Sequence, residues 1–154
     1  MSLIFSEVLD LVDKAKTKEE RIGLLRKYGL PALKGILRIN FDPNVKMDLP
    51  DGEPPYRKEV DKPIGYHETN LIQEYKRFYI WLDPKQNLTK IRKEKLFIEM
   101  LEGLHHTEAE IVCLVKDRKL TKRWKNIKAD VVREAFPGLL PPVTEKEEAE
   151  PPLV

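Results

Sequence analysis

Helix-start signals recur along this chain and constrain its fold more than any other feature. Thr17-Lys18-Glu19-Glu20, Asn70-Leu71-Ile72-Gln73 and Thr107-Glu108-Ala109-Glu110 each have the form of a capping box. In that box a short side-chain oxygen accepts an orphan N–H of the first helical turn, and a Glu or Gln three residues on reaches back. Apolar residues at helical spacing follow each one. Such a chain builds helices and buries one stripe of each. The expectation is an all-α fold: one domain of about seven helices over residues 1–138, then an acidic Pro/Glu-rich tail at 139–154.

Periodicity locates the helices. Residues 3–16 place Ile4, Val8, Leu11, Val12 and Ala15 on one stripe. Thr17 opens a second helix that Gly29 should stop, and Pro31 suits the first turn of a third. Residues 41–68 break the pattern, with Pro43, Pro50, Pro54, Pro55, Pro63 and an Asp51-Gly52 turn signal. This reads as a long loop wrapped over the helices and pinned by Phe41, Val45, Leu49, Tyr56 and Tyr66. An aromatic helix follows over 69–82, then helices at 89–104, from Thr107, and near 127–136 before Pro137-Gly138. Gly23 and Gly35 read as helix-packing positions.

The length of 154 residues suffices to bury a core without disulfides or metals. The single Cys113 excludes an internal disulfide and sits in an apolar run, where a thiol is ordinarily inert packing. The N-terminus lacks the basic region of a signal peptide, and no apolar run reaches the roughly 20 residues of a membrane span.

No reaction is specified. His105-His106 with Glu108 and Glu110 could offer metal ligands, but adjacent histidines point apart and His67 lies far along the chain, so a polar turn is the better reading. Cys113 with either histidine makes a weak nucleophile pair. Glu68, Glu99 and Glu102 read as solvated, and no carboxylate stands alone in an apolar stretch. No glycine-rich phosphate loop is present, and no cofactor or metal is expected.

Charge is the one candidate for function. The net charge of +2 conceals an uneven spread, with residues 85–134 carrying 13 Lys/Arg against 8 Asp/Glu. Lys116, Arg118, Lys119, Lys122, Arg123, Lys125 and Lys128 crowd one stretch around Trp124, and Lys90, Arg92, Lys93 and Lys95 begin a neighbouring helix. Cations with one aromatic suit a phosphate backbone and a stacked base, or an acidic protein. The alternative is a solvated connection whose Trp124 packs back on the core.

Phe5-Ser6-Glu7-Val8-Leu9-Asp10-Leu11-Val12, Ile39-Asn40-Phe41-Asp42-Pro43, Met100-Leu101-Glu102-Gly103-Leu104 running on to Thr107–Leu120, and Glu134-Ala135-Phe136-Pro137 resemble an uncharacterised family of small helical proteins from T4-like phages, cyanophages included. The resemblance spans roughly residues 3–138 and rests on helix-turn patterns, so it carries over no catalytic residue. It implies a virus-encoded protein acting in the infected bacterial cytoplasm or in the virion. Similar sequences often have Pro where this chain has His106, which argues against a family-wide role for the His pair. The expected function is a non-enzymatic accessory factor that contacts nucleic acid or a nucleic-acid machine. The alternative is a virion or protein-interaction component that uses the Pro-rich loop and the tail, with a phage or host protein as partner and no membrane.

Overall fold

The computed structural model describes residues 3–64, 66–83 and 85–141. Among them are eight α-helices and no strand: α1 (Phe5–Lys14), α2 (Lys18–Lys27), α3 (Pro31–Phe41), α4 (Leu71–Glu74), α5 (Tyr79–Leu82), α6 (Lys90–Gly103), α7 (His106–Lys116) and α8 (Ala129–Ala135). Two 3₁₀ turns, Tyr75–Arg77 and Leu120–Lys122, complete the order. The all-α expectation holds.

The N-caps Thr17 and Asn70 act as read, but Glu20 accepts the Lys16 N–H at 3.3 Å rather than that of Thr17. Thr17 Oγ accepts from the Glu20 N–H at 3.2 Å, Asn70 Oδ1 from Gln73 at 3.0 Å. Thr89 adds a cap that no box announced, accepting from Arg92 at 3.1 Å. The third box is corrected. The cap lies two residues earlier: α7 begins at His106 and His105 is its N-cap, with Nδ1 accepting from the Thr107 N–H at 3.2 Å. Thr107 turns its hydroxyl instead to Ser6 of α1, at 2.8 Å.

α7 is the central strut. It packs against α1, α3 and α6, while α2 joins α1 to α8. Its Ile111, Val112 and Val115 are fully enclosed, facing a core that includes Leu9, Leu33, Ile36 and Leu101. The aromatic segment 69–82 is not one helix. It tightens to 3₁₀ at Tyr75–Arg77 between α4 and α5. Three residues per turn eclipse side chains at i and i+3, which lines up Tyr75, Phe78 and Trp81. Their rings meet at 5.3 and 5.8 Å, and Trp81 then meets Phe97 of α6 edge-on at 5.6 Å. Gly35 of α3 admits this stack, since a Cβ there would stand 2.1 Å from the Tyr75 hydroxyl. Gly23, by contrast, faces open space and packs on nothing.

Residues 42–64 and 66–70 form an irregular strap across α6 and α7. Phe41, Val45, Leu49 and Tyr56 pack on the core as expected. Tyr66 does not; it is 72% exposed. The deepest anchor is Met47, which is fully buried beside the Asp48 N–H bond to the Trp81 carbonyl at 2.8 Å. At the C-terminal end Leu139 and Leu140 pack on the core, so the domain extends past 138. The expected tail from residue 142 onward lies outside the described residues.

Candidate functional site

The basic stretch is dispersed by the fold. Lys116 is buried, and its ammonium donates to the carbonyls of Pro50 (2.7 Å) and Gly52 (2.9 Å) and to the Asp117 carboxylate (2.7 Å). Asp117 in turn accepts the Gly52 N–H at 3.1 Å. Arg118 donates to the carbonyls of Asp42 and Val45. Both cations therefore fasten the strap and are unavailable to a ligand.

Arg118 also ends α7. Its N–H bonds the Val115 carbonyl at 3.1 Å, and the Lys119 N–H bonds Leu114 at 2.8 Å. This is the Schellman arrangement, whose left-handed position is ordinarily glycine. Arg118 holds it at φ +60°, a conformation costing a β-carbon-bearing residue about 1 kcal/mol, and its two guanidinium bonds offset that cost.

Trp124 is 1% exposed, with Nε1 donating to Asp10 of α1 at 2.8 Å. Its ring is a core element with no face for a base. Arg123 lies over that ring at 5.2 Å and pairs with Glu110 at 3.4 Å. A shallow depression beside it is lined by Asp10, Asp13 and Glu110 as well as Lys122 and Arg123, so acids of α1 and α7 temper the local field. Lys119, Lys122, Lys125 and Lys128 remain exposed, with no ion pair among the described residues. In the second basic group Lys93 is buried and paired with Asp48 at 2.7 Å.

The strap creates a different feature. Between Leu49–Pro55 and α6 runs a groove of about 350 Å³, floored by Phe97 and Ile98 and walled by Pro50, Pro54 and Pro55. It shares Glu94 and Ile98 with the outer face of α6, where Ile91 is 80% exposed among Lys95, Glu99 and Glu102. The rim is acidic: Asp51, Glu53 and Glu94 line the groove against Lys116, and the adjoining face of α6 adds Glu99 and Glu102 against Lys95. Glu102 also accepts the Arg57 N–H at 2.8 Å, which ties the strap to α6.

His67 and Glu108 lie where sequence reasoning did not put them, whereas Cys113 is buried as expected. His67 is not remote. Its ring meets His105 edge-on at 4.9 Å, and His105 stacks on His106 at 4.6 Å. Cys113 shares a cavity of about 390 Å³ with His106, Tyr56, Lys58 and Glu53. Burial, then the Glu53 charge, pushes its thiol up to about 12, so the group is an unactivated thiol. Glu108 is 2% exposed, and burial pushes its carboxyl up to about 7. It accepts from Leu71 N–H at 3.4 Å and from Phe5, the first residues of α4 and α1. The signal was legible: Glu108 heads the stripe Ile111-Val112-Val115, which is fully inward.

Among the described residues no group of three or more His, Cys, Asp or Glu side chains is arranged to hold a metal ion, and no helix is long and apolar enough to cross a membrane. No curated protein and no solved structure matches the chain. Residues 8–122, most of the helical body including the strap, α6 and α7, do match an established family, and the chain belongs to it: DUF6433, a family of unknown function.

Proposed function

We propose that this is a non-enzymatic, phage-encoded accessory protein that docks a partner protein in the groove between the strap and α6. The observation that carries the reading is the groove itself, with an apolar floor, proline walls and an acidic rim. Proline walls lose little conformational entropy when a partner binds. Lys116 and Arg118 hold the strap over the helices, so the surface is pre-organised. Charge complementarity then selects the occupant: a phage or host segment whose apolar side chains are flanked by Lys and Arg.

The experiment compares tagged full-length protein with its Ile98→Asp and Glu94→Lys/Glu99→Lys variants in infected cells, then reconstitutes binding with the purified partner. A nuclease-resistant partner should be recovered, with affinity falling roughly tenfold or more in both variants. A partner held equally by all three proteins sinks the groove.

A second reading is favoured by one observation, the four exposed lysines Lys119, Lys122, Lys125 and Lys128. In this reading they hold a phosphate backbone without base stacking. Reversing all four to Glu should abolish a nuclease-sensitive association and flatten its dependence on salt by about 0.9 for each phosphate no longer neutralised. Binding that ignores both salt and these reversals rules it out.

A further inference from the structure

The strap meets the α6–α7 turn at three histidines. His67 comes from the strap, and His105 and His106 come from the turn. Neither ring nitrogen of His67 is solvent-accessible or hydrogen-bonded. A neutral imidazole leaves one N–H unsatisfied there; an imidazolium leaves two, with a charge.

His105 is bound to its neutral form by a separate constraint. Its Nδ1 accepts the Thr107 N–H, the cap of α7. A backbone N–H can only donate, so Nδ1 must carry a lone pair. The Thr107 hydroxyl lies 2.7 Å from the same nitrogen and 2.8 Å from Ser6 Oγ, extending the network to α1. A proton on Nδ1 removes the cap acceptor and sets a positive charge at the positive end of a helix dipole.

We propose that His67 and His105, packed together beside His106, form a proton-sensitive latch that holds the strap shut when neutral and releases its C-terminal half when protonated. The inference rests on the docking reading for its consequence, since release would free the Arg57 tie to Glu102 beside the groove, but the latch itself is testable without a partner.

The surrounding charges do not compensate. From the strap, Lys62 opposes protonation of His67 and Glu59 favours it, but Glu59 is paired with Lys62 at 3.3 Å. His106 of α7 opposes protonation of both neighbours, and Glu7 of α1 favours that of His105. Glu68 lies near Gly103, where the Thr69 N–H bonds the Gly103 carbonyl at 3.1 Å. Burial is the largest influence on both His67 and His105 and lowers both. A lowered histidine stabilises the closed form fully above its ordinary value near 6.5, and that stability is lost as pH falls below it. Release is local because the N-terminal half of the strap is fastened separately, by Lys116, Arg118 and Lys93.

The test is amide hydrogen exchange on the full chain at about pH 7.5 and about pH 5.5, corrected for intrinsic rates. Protection at residues 56–64 and 66–69 should fall at least tenfold at the lower pH, while α3 and α7 beyond its first turn keep theirs. His67→Phe should remove most of that pH response. His105→Asn, which keeps a cap acceptor and removes a titrating group, should weaken it, and Glu108→Gln should leave it intact. Equal protection of the strap at both pH values overturns the latch, as does an undiminished response in His67→Phe and His105→Asn. Groove binding is measured at about pH 7.5, where the latch is neutral, so failure of docking and failure of the latch are read separately.

Discussion

Trp124→Ala lowers the free energy of unfolding by about 3–5 kcal/mol, the range for emptying a large buried aromatic site. The ring is enclosed, and its Nε1 is the partner of the Asp10 carboxylate. Removal leaves a cavity between α1 and the turn that leads to α8. The turn keeps a second fastening, because Asn126 donates its backbone N–H and its side-chain amide to Asp13, each at 2.8 Å. Denaturant unfolding followed by circular dichroism measures the loss as a lower midpoint. Unchanged stability together with weakened nucleic-acid binding would reverse this assignment and restore Trp124 as a stacking surface.

The second large effect is on how stability depends on pH. In the unfolded chain Glu108 titrates near 4.3; in the fold its carboxyl sits at about 7. Between those values the folded state binds the extra proton, so this group's contribution falls as pH rises and is lost above about 7. Moving from about pH 5 to about pH 8 should therefore favour Glu108→Gln over the parent by about 2–3 kcal/mol. Urea unfolding of both proteins at the two pH values gives that difference directly. Because His67 and His105 act with the opposite sign, only the comparison with the variant isolates Glu108. A constant gap between the two proteins would mean that the carboxyl is ionised throughout, held by the first N–H groups of α1 and α4.

Helix identity was legible in the sequence because its causes are local. Thr17 and Asn70 cap where the boxes place them, Pro31 starts α3, and the stripes on α3 and α7 face the core, as does that on α1 apart from Leu11, which is exposed while Phe5 and Leu9 are buried. Each of these follows from a few consecutive residues and the pitch of one helix. His105 displaced Thr107 as a cap because Ser6, a hundred residues earlier, claims the Thr107 hydroxyl. Tyr75 can seat its ring against α3 because Gly35, from another helix, makes room for it.

The candidate surfaces were far less legible. As a string, residues 116–128 are seven cations around one tryptophan. In the fold, Lys116 and Arg118 spend their charge on strap carbonyls, Arg123 on Glu110, and Trp124 on Asp10. The groove on α6 needs the strap laid across it, and the histidine cluster needs His67 carried to a turn nearly forty residues away. Composition and short-range pattern settled that this chain is helical, charged and able to bury its own core. Which charges remain free, which carboxyl is buried and where a groove opens were decided only by the tertiary structure. Pairing and desolvation depend on distances of a few ångströms between residues far apart in the chain, and no local pattern encodes them.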